Sequence, residues 1–246
     1  MARSITDVIR ELDEIVAWSV EHRSRIGYFA ALYRRVTIRV RDGIQAGEFA
    51  DGPRMERLDV VFASRYLDAL QKWRTSDTTV CPCWHQAFTV AQEYWPLVLQ
   101  QLLVGMNVHI NLDLGIAAAE ITTPETIADL AGDFQRINQI LAEEQPKVRA
   151  QMEAIFPLLR FLDRIGGGAE NVVLNFSMEI ARREAWEFAL SLSQGDVESK
   201  IAERRTFVSG LSTLVAHQPM PLRLGLMVIR ICEPRDPRRV LAILAS

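Results

Sequence analysis

The chain has 246 residues, of which 49% are hydrophobic and 24% charged, a globular composition that excludes intrinsic disorder and low-complexity architectures. Its net charge of −3 and pI of about 5.9, with Lys and Arg scattered among Asp and Glu, lack the basic stripe of a nucleic-acid binder, so no nucleic acid partner is expected. One core can serve a chain of this length, and no fixed-period repeat appears, so a single domain over 1–246 is expected.

Taken in chain order, apolar residues recur at three-to-four residue spacing from one end to the other. Ser4 opens a helix with Val8, Ile9, Leu12, Ile15 and Val16 on one face. Phe29, Leu32, Tyr33, Val36, Val40 and Ile44 form a second stripe that stops near Gly47, and the arginines between them, Arg34, Arg35, Arg39 and Arg41, read as a solvated face. Asp51-Gly-Pro53 starts a third helix carrying Leu58, Phe62, Tyr66, Ala69 and Leu70, with Asp59 on the side of Tyr66.

A loop from Thr75 to Pro82 then leads into a helix from Trp84 to Tyr94, and Pro96 restarts the chain for a long central helix, about Leu97 to Glu120. That stretch is long enough to span a bilayer but carries Gln100, Gln101, Asn107, His109, Asn111 and Asp113, so a buried helix and no transmembrane segment is expected. Thr123 and Pro124 predict the next helix start, through Ile127, Leu130, Phe134, Ile137 and Leu141; another covers Val148 to Ile165, bent at Pro157 and ended by Gly166-Gly167-Gly168. Glu170 to Ser193 shows Val173, Phe176, Ile180 and Trp186, and Asp196 to Ala216 shows Ile201, Phe207, Leu211 and Leu214; two shorter helices, Leu222 to Cys232 and one begun by Asp236-Pro237, finish the chain. The fold class is all-α, an antiparallel bundle of roughly nine or ten helices.

The N-terminus has no apolar core of a signal peptide, and the three cysteines, Cys81, Cys83 and Cys232, read as reduced thiols, the first two in a loop, which predicts a cytoplasmic location. Cys81-Pro-Cys-Trp-His85 lacks the ligand spacing of a zinc knuckle. Apolar character in Leu222 to Ile231 and Val240 to Leu244 suits a homodimer interface as well as a core. The aromatic residues Trp84, Phe88, Tyr94, Trp95 and Trp186 have the chemistry to line an apolar ligand pocket, but at helical spacing they read as core.

Chemistry concentrates in Gly105-Met-Asn-Val-His-Ile-Asn-Leu-Asp-Leu114, which sets polar and ionisable groups inside the most apolar helix. His109 and Asp113, four apart, share a helix face and can hydrogen-bond or ligate one metal ion. Asn107 and Asn111 form a second such pair about 200° round the helix, so the two pairs face different neighbours. The candidate catalytic set is His109, Asp113, Tyr66 and Asn107. For a divalent metal such as zinc the candidate ligands are His109, Asp113 and Asp59, with Asp133 and His85 behind them. Without a metal, Asp113 orients His109 as a general acid or base.

On these residues, together with Tyr33-Arg-Arg-Val-Thr37, Met55-Glu-Arg-Leu-Asp-Val60, Phe62-Ala-Ser-Arg-Tyr-Leu67 and Asp133-Phe-Gln-Arg-Ile-Asn138, the chain resembles a helical family known only by a domain-of-unknown-function label, up to about Trp186. That resemblance implies no activity. A looser likeness joins His109 and Asp113 to the His-x-x-x-Asp ligand pair of zinc-dependent phospholipase C and its nuclease relatives, which need several more histidines than the four present here. The sequence therefore leaves two readings: an enzyme, hydrolase-like and with or without a metal, acting on a small, partly apolar molecule; or a non-catalytic ligand-binding or interaction module whose His, Asp and Asn cluster is structural.

Overall fold

The computed structural model describes residues 2–155, 178–220 and 222–245. Among them the chain is helical throughout and contains no strand: α1 (Ile5–Glu21), α2 (Gly27–Gln45), α3 (Gly52–Arg74), α4 (Pro82–Gln92), α5 (Val98–Glu120), α6 (Ala131–Ile155), α7 (Met178–Leu192), α8 (Val197–Ala216), α9 (Leu222–Cys232) and α10 (Pro237–Leu244). The expected all-α bundle of nine or ten helices is what forms.

The helix starts follow the expected capping chemistry. Ser4, Asp51, Asp196 and Asp236 each accept a hydrogen bond from a backbone N–H of the following first turn, satisfying donors that a helix start leaves orphaned. Gly47, just past α2, has φ of +71°, a conformation costly for any residue with a Cβ.

Everything is built round α5. Its length and apolar composition would let it cross a membrane, and 83% of its most apolar stretch is buried inside the bundle. Val104, Val108 and Leu112 pack with α1 to α4 and α8; Ile110, Leu114, Ala117 and Ala118 pack with α6 and α7; Val98 and Leu102 pack with α2, α9 and α10. A helix apolar all round is buried all round.

Four local expectations give way. Thr123 does not cap an α-helix: residues 123–126 form a turn, Ile127–Leu130 is a 3₁₀ segment that buries Ile127 and Leu130 three residues apart, and α6 begins only at Ala131. One helix then runs through Pro146 to Ile155, in place of the two expected. On α8 the buried face is Val208, Ser212, Val215 and Ala216, whereas Phe207 and Leu214 are exposed, because apolar residues lie on every side of this helix and the stripe alone does not phase it. The arginines of α2 are not simply solvated: Arg35 pairs with the buried Glu144 of α6, and Arg39 pairs with Glu48 and Glu143.

Smaller departures concern α4, which spans Pro82–Gln92 and leaves Tyr94 and Trp95 exposed. Cys81 and Cys83 therefore belong to a helix start, with Cys83 fully buried, and only Cys232 lies on the surface. The expectations for Pro157, Ile165, the glycine run 166–168, Val173 and Phe176 fall outside the described residues.

Candidate functional site

In mid-course α5 widens into one π-helical segment, His109–Leu114, between two α-helical halves. Such segments interrupt α-helices frequently at functional sites. This one carries His109, Asn111 and Asp113, all buried.

Asp113 is the hub. Its Oδ1 accepts from Arg65 Nε of α3 at 3.0 Å. Its Oδ2 accepts from Trp84 Nε1 of α4 at 2.8 Å and lies 3.4 Å from His109 Nδ1. A carboxylate only accepts, so Nδ1 carries the imidazole proton and Nε2 presents a lone pair. Burial lowers the pKa of His109 and outweighs the opposing pull of Asp113, which keeps the ring neutral.

Five aromatic rings enclose that imidazole. Phe62 stacks on it at 3.6 Å between centroids and 10° between planes; Tyr33 meets it edge-on at 4.5 Å and Phe29 at 5.5 Å; Trp84 and Tyr66 stand at 6.0 and 6.3 Å. Within this enclosure His109 Nε2, Tyr33 Oη and Tyr66 Oη are buried and reach no hydrogen-bond partner among the described residues, and neither does the buried Asp59 Oδ2 of α3. Burial raises both tyrosines above the usual phenol range, and raises Asp59 from 3.8 to about 7, with Glu56 adding to it.

The second pair faces elsewhere, as its azimuth predicts. Asn111 Nδ2 donates to Asn107 Oδ1, and Asn107 Nδ2 donates to Val208 O and Ser212 Oγ of α8, each at 2.9 Å. Arg204 Nε donates to the Asn111 carbonyl inside the π segment at 2.7 Å. Asn107 thus locks α5 to α8 and does not join His109 and Asp113.

A cavity of about 20 Å³ adjoins the enclosure, lined by Arg25, Tyr28, Phe29, Tyr66, Trp84 and Gln101 among others. That volume holds one water-sized molecule. Two buried polar atoms without a partner, Tyr66 Oη and Gln101 Oε1, belong to its lining residues. Arg25 donates to the Glu93 carbonyl. A wider groove of about 480 Å³, lined by Arg3, Glu56, Arg57 and Glu120, does not include any of the His109 enclosure.

The candidate metal donors are not assembled. Among the described residues no three His, Cys, Asp or Glu side chains are grouped to hold an ion, and both Asp113 oxygens already accept protein donors. Asp133 accepts from the backbone N–H groups of Ala50 and Asp51 and from Arg54. His85 is exposed on α4.

Arg65, Trp84, Phe29, Tyr33, Phe62, Arg25 and Gln101 join the site without being singled out for it by the sequence. A signal for some of them exists: Phe62 and Arg65 share a recurring motif with Tyr66, and Tyr33 opens another; the fold brings Tyr33 and Phe62 onto His109 and Arg65 onto Asp113.

The fold and site define an all-helical bundle with a neutral histidine and an aspartate sealed in an aromatic enclosure. The chain belongs to DUF5995, a family of unknown function, whose model matches residues 5–218 and so extends past Trp186 into α8. No curated protein and no solved structure shows significant similarity to it.

Proposed function

We propose that the chain is a ligand-binding helical module whose ligand is a small, largely apolar molecule with a hydroxyl or similar group, taken into the cavity beside the His109 enclosure. The observation that carries this reading is the pair of unpartnered polar atoms, Tyr66 Oη and Gln101 Oε1, on residues lining one cavity whose other walls are mostly aromatic and aliphatic, with Arg25 at one side. Leaving a buried polar atom unpaired costs about 1–3 kcal/mol, so two in one cavity call for a partner that pairs with both. Apolar walls with a few convergent polar groups are the ordinary make-up of a small-molecule site. At its present size the cavity admits no more than a hydroxyl-sized group; a larger ligand requires its wall to open. In this reading the Asp113 and Asn107 networks are structural locks.

A second reading, a small-molecule enzyme, is favoured by the state of His109 alone. A neutral imidazole with Nδ1 held by a carboxylate and Nε2 unpaired is arranged as a general base. The Tyr66 ring borders both the imidazole and the cavity, so a ligand reaching past Tyr66 would meet that base.

Phenol, benzyl alcohol and indole at millimolar concentration serve as probes, read by thermal melting and by the ¹⁵N shifts of the histidine side chains. Phenol should raise the melting temperature of the wild type and leave a Tyr66→Phe, Gln101→Leu protein unmoved. A shift of the His109 Nε2 resonance on binding supports the acid–base reading. If none of the three probes changes the melting temperature or any histidine shift, the binding reading fails.

A further inference from the structure

Outside that site, Cys81-Pro82-Cys83 places two thiols at the start of α4. Cys81 is the N-cap residue and is partly accessible; Cys83 is fully buried, with its Sγ 3.4 Å from Ser209 Oγ and 3.5 Å from the Arg205 carbonyl of α8. All three cysteines of the chain are free thiols. Residues two apart in a helix start have Cα atoms about 5–6 Å apart, inside the range a disulfide can bridge.

From this placement we infer that Cys81 and Cys83 form a thiol–disulfide exchange site for a low-molecular-weight disulfide, Cys81 being the attacking thiol and Cys83 the resolving one. The electrostatics agree with that order: interaction with the Cys83 thiol draws the Cys81 pKa down, against burial. The same interaction, with burial, pushes Cys83 up. The accessible sulfur is therefore the thiolate and the shielded one keeps its proton, the division of labour that exchange requires.

The chemistry balances with a disulfide RSSR as oxidant. Cys81 thiolate attacks one sulfur of RSSR, forming a Cys81–SR bond and releasing RS⁻. Cys83 then gives its proton to solvent or to RS⁻ and attacks Cys81 Sγ, expelling the second RS⁻. Two cysteine thiols are oxidised to one disulfide, and RSSR is reduced to two RSH. Closure draws Cys83 Sγ away from Ser209 and Arg205, loosening the contact of α4 with α8 one residue before Trp84, whose indole holds Asp113.

The test uses the full chain carrying Cys232→Ser, incubated with oxidised glutathione and followed by intact mass and thiol labelling. The expected product has lost two hydrogens, carries no glutathione, has no labelled thiol, and reverts with dithiothreitol. Adding Cys83→Ser should trap a stable glutathione adduct on Cys81, and adding Cys81→Ser should abolish reaction. Circular dichroism establishes that each variant is folded; Cys83→Ala replaces Cys83→Ser if the latter is not. A parent protein that keeps both thiols, or that accumulates the glutathione adduct without closing, overturns the inference.

Discussion

Removing the Asp113 carboxyl is the sharpest test of how the centre of the molecule is held. In Asp113→Ala, three donors lose their acceptor at once: Arg65 Nε, Trp84 Nε1 and His109 Nδ1. The three do not weigh equally. Arg65 is partly exposed and can turn to water, whereas Trp84 and His109 are buried at 1% and 3% exposure and cannot. Orphaning a buried donor costs about 1–3 kcal/mol, and breaking a buried charged contact about 3–5 kcal/mol in total. The expected loss is thus about 3–5 kcal/mol, which at about 2–4 °C per kcal/mol for a chain of this size lowers the melting temperature by roughly 6–20 °C. Calorimetric melts at pH 7 of wild type, Asp113→Ala, Trp84→Phe and the double variant provide the measurement. Trp84→Phe should cost less in the Asp113→Ala background than in the wild type, because its partner has already gone. A melting temperature for Asp113→Ala within about 2 °C of wild type would falsify the assignment of Asp113 as the hub of α3, α4 and α5.

Asp59 sets a pH dependence of opposite sign to the usual carboxylate. Its folded pKa is raised from 3.8 to about 7, chiefly by burial, so the native state holds a proton that the unfolded chain has released; this contribution to stability is full below about pH 4 and is lost as pH rises to about 7. Asp59→Asn, always neutral, should match wild type at pH 4 and exceed it at pH 8 by up to about 4 kcal/mol, read from urea unfolding at the two pH values; equal stability at pH 8 refutes the buried-acid assignment. Glycine substitutions should split by site. In Gly115→Ala the new Cβ meets Phe188 Cδ1 at 2.6 Å and the Ala185 carbonyl at 2.9 Å, an overpacking worth about 1–3 kcal/mol of destabilisation. In Gly210→Ala the new Cβ has no neighbour within 4 Å, and helix propensity should stabilise by up to about 1 kcal/mol. Thermal melts of the two variants moving in the same direction would contradict the packing described for α5 against α7.

Local rules account for what is legible in the sequence. Caps such as Ser4, Asp51 and Asp236 announce themselves, since the residue that satisfies the first-turn N–H groups sits beside them in the chain. The polar run from Asn107 to Asp113 stands out because polar groups in an apolar helix need partners, and the opposed azimuths of its two pairs follow from helix geometry. The partners are another matter. Arg65 and Trp84 reach Asp113 from 48 and 29 residues away, and Phe62 finds His109 only once α3 has crossed α5; no period or cap encodes such pairings. The π segment is also hidden, because its residues have the same apolar spacing as an α-helix on either side. On α8, with apolar residues on all faces, the choice of inward side rests with Asn107, which claims Ser212 and the Val208 carbonyl.

The π segment of α5 has a bearing on how this helix could be altered over generations. A π turn holds one residue more than an α turn, so it is a local surplus of chain that leaves the helix axis nearly straight while rotating the residues beyond it. The half from Val98 to Val108 and the half from Gly115 to Glu120 are consequently phased independently. The first is keyed to α4 and α8 through Val104, Val108 and Asn107; the second is keyed to α7, where Gly115 sits against Phe188 and Ala185. A deletion or insertion in one half would shift the phase of that half alone up to the segment, which makes His109–Leu114 a clutch between two separately adjustable shafts, with the histidine mounted on the clutch itself.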